Sequence, residues 1–206
     1  MRKILIIGAG RSASSLIKYL LDKSEAENLF VTIGDLSEDL AKKKTKNHKN
    51  SRAISFDVFN ADQRKQEIQQ ADVVISMLPA HMHIEVAKDC ILYKKHMVTA
   101  SYISAEMQAL DAVAKENNIV LMNEIGLDPG IDHMSAMKIM DEIKSEGGNI
   151  ILFESFCGGL VAPESDDNLW NYKFTWNPRN VVLAGQGGAA KFIQEGTYKY
   201  IPYNKL

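Results

Sequence analysis

Runs of apolar residues alternate with amphipathic stretches along the first 123 residues of this 206-residue chain. The first run, Ile4–Ile7, has four consecutive aliphatic residues and ends at Gly8, a pattern typical of a strand buried on both faces of a parallel sheet. The next stretch predicts an amphipathic helix, because its apolar side chains recur three and four residues apart and form one stripe. That stripe comprises Ala13, Leu16, Ile17, Leu20 and Leu21.

The alternation of strand and helix continues along the chain. The pattern predicts further strands at residues 29–33, 53–57, 73–78, 96–100 and 119–123. It predicts helices at residues 37–46, 62–70 and 82–93, and another after Ser104, whose hydroxyl can cap it. The inward face of that last helix would comprise Met107, Leu110, Val113 and Ala114. Strict alternation over this length indicates an α/β fold with a Rossmann-like, doubly wound parallel sheet.

The pattern changes after Asn123. A turn-rich segment at residues 126–130 precedes a predicted helix that ends near Ser145, a strand at 150–156 and a helix near 184–194. The last part of the chain contains too few apolar positions to build a core alone. We therefore expect one domain at residues 1–125 and, at residues 126–206, a linker and the start of an incomplete second α/β domain.

Composition and charge exclude several classes of protein. The chain is 46% hydrophobic and 24% charged, which is typical of globular domains, and its formal net charge of -2 gives no general attraction to nucleic acid or to an anionic membrane. Two cysteines, Cys90 and Cys157, are too few for a disulfide framework. Apolar runs stay far below the roughly 18 residues of a membrane span. We expect a cytoplasmic protein with neither a nucleic-acid nor a membrane partner.

A glycine motif joins the first strand to the first helix. Residues 8–13 match G-x-G-x-x-A, in which glycines let a backbone approach a pyrophosphate and the helix N-terminus receives its charge. Asp35 follows 22 residues after Ala13, at the end of the second strand, where a carboxylate binds ribose hydroxyls and repels a 2′-phosphate. The sequence predicts NAD binding, with NADP as the alternative, through Gly8, Gly10, Arg11, Ser12, Ala13 and Asp35. The other interpretation is a tight turn without a ligand.

Other strand ends supply further cofactor candidates. Leu78 and Pro79 end the fourth strand, at the edge where loops line the ligand crevice. Asp57, at the end of the third strand, would contact the adenine amine or would be a solvated carboxylate. Arg11 would likewise neutralise a phosphate or lie on the surface.

Three side-chain groups have competing interpretations. His81 and His83 form an H-x-H pair, but no third and fourth ligand lies near them, so we predict a packed His83 and no metal. The lysines at 42–44 are interpreted as a solvated helix face, the alternative being a lysine near the adenosine that relaxes the preference for NAD. Cys157 is either a nucleophile or, as we favour, a packed or substrate-contacting thiol.

Several longer segments resemble the saccharopine dehydrogenases and reductases of the glutamate-forming type. The resemblance lies in residues 74–79, 98–102, 123–133, 157–160, 162–164, 172–174 and 176–179. It implies a dinucleotide-binding domain joined to an α/β substrate and dimerisation domain, and thus a homo-oligomer, a dimer in the full-length form. It also implies an oxidoreductase of lysine metabolism that converts an amino-acid substrate, saccharopine, to glutamate and aminoadipate semialdehyde through an imine.

The resemblance also implies a set of substrate residues. Ser101, Asp128 and Cys157 match positions that line the substrate pocket, and Asp128 is the candidate for proton transfer. Their plausible neighbours are Tyr102, Gly158 and Trp176. The competing interpretation is local structure: a loop cap for Ser101, a turn for Asp128 and a core position for Trp176.

Family members are longer than this chain, so the resemblance implies a truncated second domain whose activity is open. A missing return segment would leave apolar surface exposed and favour self-association. Two other functions remain in view: a related dehydrogenase of the carboxynorspermidine type, and a non-catalytic nucleotide-binding fragment.

Overall fold

A six-stranded parallel sheet runs through the first part of the chain in the computed structural model, which describes residues 1–174, 178–179, 182 and 188–205. The strands are β1 Arg2–Ile7, β2 Leu29–Asp35, β3 Ser51–Ser55, β4 Val73–Ser76, β5 His96–Val98 and β6 Leu121–Met122. Their order is β3-β2-β1-β4-β5-β6, with every pair parallel. This order confirms the predicted Rossmann-like, doubly wound fold.

Helices connect the strands and continue beyond the sheet. They are α1 Ser14–Lys23, α2 Glu38–Thr45, α3 Ala61–Gln70, α4 His83–Leu92, α5 Ala105–Gln108, α6 Asp111–Glu116 and α7 Ile131–Ser145. Short 3₁₀ turns occupy Arg11–Ala13, Ala80–Met82, Pro163–Ser165 and Tyr203–Lys205. In the part of the chain that the structure describes, none of these helices has both the length and the apolar character needed to cross a bilayer.

The core lies on both faces of the sheet because β1 is apolar at successive positions. Leu5 and Ile7 pack in one hydrophobic cluster with residues of α3 and α4, whereas Ile6 packs on the opposite face with residues of α1 and α2. All three side chains are at most 1% exposed. Each contributes on the order of 2 kcal/mol through burial, so the strand that leads into the glycine motif is firmly held.

The predicted helix starts are correct at two serines. Ser37 Oγ accepts a hydrogen bond of 3.3 Å from Leu40 N, and Ser104 Oγ accepts one of 3.1 Å from Met107 N. The single helix predicted after Ser104 is wrong, because α5 and α6 are separate short helices. Of its predicted inward face, Met107 and Ala114 are buried and Leu110 packs against the core, but Val113 is exposed.

Two further predictions are wrong. Residues 150–156 form no strand, because none of the described residues pairs with them. The helix predicted near 184–194 is contradicted at its end, where β7 Ala190–Gln194 pairs antiparallel with β8 Thr197–Ile201. Glu195 and Gly196 both have positive φ, 54° and 73°, which is the geometry of a two-residue hairpin turn. Residues 183–187 lie outside the described residues.

Contacts within the chain divide it into two compact units, residues 1–157 and residues 158–206. The domain boundary after residue 125 stays a prediction. In the first unit, no residue of α7 is buried, and the helix exposes several large apolar side chains. These are Ile131, Met134, Met137, Ile139 and Ile143. The predicted self-association through exposed apolar surface stays a prediction.

Candidate functional site

The glycine motif follows β1, the strand at which the strand order of the sheet reverses. β1 is flanked by β2 and β4, and hydrogen bonds from Gly8 N to Gly34 O (2.7 Å) and from Met77 N to Ile7 O (2.8 Å) join the turn to both neighbours. In open α/β sheets, this reversal of strand order forms the ligand crevice. The residues that follow β1 therefore begin at the edge where a nucleotide would bind.

The two glycines of the motif have different structural roles. Gly8 has a φ of 106°, and a Cβ there would lie 2.7 Å from Met77 O, so only glycine fits. Gly10 has a φ of -63°, which any residue adopts, and a Cβ there would have no atom within 4 Å. A side chain at Gly10 would therefore occupy open space. That space is where a pyrophosphate would approach the backbone.

The helix start behind the turn lacks the usual side-chain partners. Neither the 3₁₀ turn Arg11–Ala13 nor α1 has a side-chain cap or an acidic residue in its first turn. By contrast, Ser37, Asn60 and Ser104 cap α2, α3 and α5. Because the first amides of a helix have no intrahelical acceptor and carry its positive dipole end, they suit an anion. The turn therefore fits the pyrophosphate of a dinucleotide.

Asp35 lies against this turn, as its spacing from the glycines predicts. Its Oδ2 accepts a hydrogen bond of 2.8 Å from Ala9 N, and its Oδ1 accepts one of 3.0 Å from Ser37 N. A carboxylate has about four acceptor positions, so two backbone donors leave capacity for hydroxyl groups. The half-buried Asp35 can bind the two hydroxyls of an adenosine ribose.

The remaining motif residues divide into packed and exposed positions. Ala13 is fully buried against the core below the sheet, which explains the small residue at this place. Arg11 and Ser12 are exposed beside the turn. The carbonyl of Arg11 accepts a hydrogen bond of 2.9 Å from Ser14 Oγ. Both interpretations of the Arg11 side chain stay predictions.

Asp57 lies two residues beyond β3, because the strand ends at Ser55 instead of at the predicted residue 57. Its Oδ1 accepts a hydrogen bond of 2.9 Å from Phe59 N, and its own amide donates to Gln63 Oε1 at 2.8 Å. These bonds order the loop before α3. They support the interpretation of Asp57 as a local carboxylate, and its contact with adenine stays a prediction.

Leu78 and Pro79 lie in the segment between β4 and α4, and the residues at its two ends, Ser76 and His83, form a buried polar pair. Ser76 Oγ and His83 Nδ1 are 2.8 Å apart, and the two residues are 0% and 4% exposed. Burial, and secondarily the charge of His81, lowers the pKa of His83 to about 4, so its imidazole is neutral near pH 7. The predicted packed His83 is confirmed. Its partner Ser76 was not identified from the sequence, because the bond requires the fold.

A second group of polar residues surrounds the Asp128 turn. Gly126 N donates to Pro129 O at 2.9 Å, and the Asp128–Pro129 peptide is cis. The turn packs beside the loop that follows β5, since a Cβ on Gly126 would lie 3.0 Å from Ala100 Cβ. The backbone of that loop also accepts a hydrogen bond of 3.1 Å at Ser101 O from Glu124 N. Asp128 and Ser101 therefore belong to neighbouring loops, as expected for one pocket.

Asp132 and His133 extend this group, although neither was identified from the sequence. His133 Nδ1 lies 2.8 Å from Asp132 Oδ1, which also accepts a hydrogen bond of 3.0 Å from Gly130 N. The hydrogen bond and charge of Asp132 raise the pKa of His133. Partial desolvation of Asp132 is outweighed by its bonds to His133 and Gly130, so its pKa is lowered.

Asp128, Asp132 and His133 have ligand atoms within 4.8 Å of one another. Exposed groups this close are common in proteins without an ion, and the predicted absence of a metal stays a prediction.

Cys157 lies next to the carboxylates of this group. Partial desolvation raises the pKa of its thiol, and so do the charges of Asp128 and Asp132 and a hydrogen bond to Asp128. A raised pKa lowers the fraction of nucleophilic thiolate. The surroundings of Cys157 therefore favour a substrate-contacting thiol over a nucleophile.

The other substrate candidates are less constrained. Tyr102 is 66% exposed, whereas Ser101 is half-buried and its amide donates to Thr99 Oγ1 at 3.2 Å. Gly158 begins the second compact unit, and Trp176 lies outside the described residues. Asn123, which follows β6, adds a donor that the sequence did not indicate. Its Nδ2 is buried and has no hydrogen-bond partner among the described residues.

Comparisons with known proteins agree with this geometry. The family model described as "Saccharopine dehydrogenase NADP binding domain" matches residues 4–122, and "Saccharopine dehydrogenase C-terminal domain" matches residues 126–206. The chain is 42% identical over 195 residues to a saccharopine dehydrogenase (NADP(+), L-glutamate-forming) of Pyricularia oryzae, covering 95% of this chain. It is 37% identical over 220 residues to an alpha-aminoadipic semialdehyde synthase of Arabidopsis thaliana, covering 98% of this chain and 21% of that protein.

A solved structure extends the likeness to three dimensions. It is the apo L-Glu-forming saccharopine dehydrogenase of Saccharomyces cerevisiae, with a TM-score of 0.86 and 36% identity over 100% of this chain. The chain covers 45% of that structure and 42% of the Pyricularia protein. It therefore spans less than half the length of these relatives.

Proposed function

This chain belongs to the saccharopine dehydrogenase family, and we propose that it carries the nucleotide-binding domain of an oxidoreductase of lysine metabolism that converts saccharopine to glutamate and aminoadipate semialdehyde. The observation that carries the proposal is the glycine turn. Gly10 faces open space before an uncapped helix start, and Asp35 is hydrogen-bonded to the same turn. The names of the relatives favour saccharopine over a carboxylated polyamine.

The cofactor we propose is NAD, with NADP as an alternative that the relatives' names support. The first-turn amides would hold the pyrophosphate, and Asp35 would accept hydrogen bonds from the ribose hydroxyls. The charge of Asp35 opposes a phosphate at the 2′ position, which is the physical basis for placing NAD first. When bound, the nicotinamide supplies the hydride acceptor.

In this proposal, Asp128 carries out the proton transfer at the substrate nitrogen. Oxidation removes hydride from the carbon that becomes the aldehyde and leaves a C=N bond, while the nitrogen gives up its proton. Water then adds to that carbon, and cleavage of the C–N bond releases the glutamate amine and the semialdehyde. Asp128 would accept the nitrogen proton, and the adjacent Cys157 and Ser101 would contact the substrate. Tyr102, Gly158 and Trp176 remain proposed neighbours.

A second candidate function is nucleotide binding without turnover. It is supported by the glycine turn, because the open space at Gly10 and the bond between Ala9 N and Asp35 suit a nucleotide whether or not turnover follows. The two functions share the nucleotide site and differ only in whether saccharopine is oxidised.

The proposal extends to a homo-oligomer and to a cytoplasmic location. The free thiols of Cys90 and Cys157 support a reducing compartment, and the exposed apolar side chains of α7 support association.

The test follows nicotinamide absorbance when saccharopine is added to the purified chain with NAD or, in a parallel sample, with NADP. We expect reduction with at least one cofactor, and Asp128→Asn should lower turnover by about a hundredfold while leaving nucleotide affinity unchanged. Asp141→Asn, at an exposed position on α7, is the control with the same loss of charge. Nucleotide binding without absorbance change would favour the second candidate, and full turnover by Asp128→Asn would reject Asp128 as the proton acceptor.

A further inference from the structure

Lys44 is directed toward the glycine turn from the neighbouring helix. It is the seventh residue of α2, it is half-buried, and its Nζ lies 2.5 Å from Oγ of Ser14, the first residue of α1. Side chains on a helix lean toward its N-terminus. Because α2 starts just after β2 ends, this lean carries the ammonium group toward the carboxyl edge of the sheet. The interpretation of residues 42–44 as a wholly solvated face is therefore wrong for Lys44.

The charge of Lys44 lacks a carboxylate partner within 4 Å among the described residues. Lys42, on the same helix, has one, since its Nζ is 2.8 Å from Glu38 Oε1. The partner of Lys44 is instead a neutral hydroxyl at the positive end of the α1 dipole, where a cation is disfavoured. An anion at this place would be attracted by the ammonium group and by the helix end together.

We propose that Lys44 binds the 2′-phosphate of NADP, and this inference rests on the proposed nucleotide site. In the proposed nucleotide site, Asp35 would place the adenosine ribose on the β2 side of the glycine turn, and α2 packs against β2 and α1. The residues after Asp35 are Leu36 and Ser37, so the loop from β2 to α2 offers no basic group.

Lys44 supplies the missing positive charge from two turns along α2. Its ammonium group offsets the repulsion between Asp35 and a 2′-phosphate. Lys44 is thus the residue that lets a chain with an acidic ribose site accept NADP as well as NAD.

The test measures dissociation constants of NADH and NADPH for the whole chain by fluorescence titration at constant low ionic strength. We expect Lys44→Gln to raise the dissociation constant of NADPH by about tenfold or more, as for the loss of a charge-assisted hydrogen bond. The dissociation constant of NADH should stay unchanged. Lys43→Gln removes the same charge from an exposed position on the same helix and should change neither constant. Lys44→Arg should retain most of the NADPH affinity.

Each other outcome overturns a specific claim. Equal weakening of NADH and NADPH by Lys44→Gln would place Lys44 at the pyrophosphate and reject its role in selection. An effect no larger than that of Lys43→Gln would reject any contact with the nucleotide. Failure of the unaltered chain to bind either nucleotide would reject the proposed function itself and this inference with it. Thermal melts of each variant would separate loss of binding from loss of folding.

Discussion

The Asp35 carboxylate accepts a hydrogen bond of 2.8 Å from the backbone amide of Ala9, which lies 26 residues earlier in the chain. This bond joins the end of β2 to the middle of the glycine turn. It fixes the distance between the group that would bind a ribose and the amides that would bind a pyrophosphate. The two halves of the proposed adenosine site are therefore positioned before a ligand arrives, which would lower the conformational cost of binding.

Asp35→Asn should change the choice between nucleotides. The amide keeps the size of the side chain and an oxygen acceptor for Ala9 N, but it removes the charge that repels a 2′-phosphate. We expect the affinity for NADPH relative to NADH to rise by about tenfold, as measured by fluorescence titration. An unchanged ratio of the two dissociation constants would show that Asp35 does not lie at the 2′ position.

Gly8→Ala should destabilise the fold. A Cβ would lie 2.7 Å from Met77 O, and the φ of 106° is unfavourable for any L side chain. We expect a loss of about 2 kcal/mol or more in the free energy of unfolding, measured by urea denaturation. Gly196→Ala, which also has a positive φ but no atom within 4 Å of the added Cβ, separates backbone strain from the clash. Equal losses in the two variants would contradict the close approach of Gly8 to Met77.

Stability should fall in acid because of His83. Its folded pKa of about 4 lies below its ordinary 6.5, so the unfolded chain binds the extra proton between these values. The free energy of unfolding should therefore decrease as the pH falls from about 6.5 to about 4, by an amount on the order of 3 kcal/mol from this residue. His83→Gln should flatten this part of the curve, whereas His81→Gln, at an exposed position, should flatten it much less, because burial is the larger cause of the lowered His83 pKa. Parallel curves for His83→Gln and the unaltered chain would count against a buried neutral imidazole.

His133 should titrate above its ordinary value of 6.5, because Asp132 bonds to its protonated form. The resulting stabilisation is present below pH 6.5 and disappears as the pH rises through the higher folded pKa. An NMR titration of the imidazole should show this pKa return toward 6.5 in Asp132→Asn. Asp141→Asn, farther along α7, should leave it unchanged. A His133 pKa at or below 6.5 in the unaltered chain would exclude the ion pair in solution.

Local sequence patterns accounted for the sheet and for part of the site. The apolar runs fixed the strand faces because burial on both sides of β1 requires apolar residues at successive positions, and the glycine spacing located Asp35. Contacts between distant residues were not accessible in this way. The Lys44–Ser14 and Ser76–His83 bonds depend on how helices pack at the sheet edge. No local sequence motif predicts that packing.

Errors arose where apolar content alone was used. Residues 150–156 have the composition of a strand, but a strand also needs a partner, which the described residues do not provide. Residues 190–194, Ala-Lys-Phe-Ile-Gln, do not alternate strictly between apolar and polar side chains. Their pairing with residues 197–201 through the positive-φ turn at Glu195 and Gly196 was therefore not visible in the local pattern.

The most direct test of nucleotide binding at the glycine turn is an NADH titration of the unaltered chain and of Gly10→Ala. The Cβ of the variant meets no atom within 4 Å, so its melting temperature should be unchanged. It would nevertheless occupy the space proposed for the pyrophosphate, and we expect NADH to bind the unaltered chain and to bind Gly10→Ala at least about tenfold more weakly. Equal affinity in the two proteins, or no binding by either, would contradict a dinucleotide site at this turn.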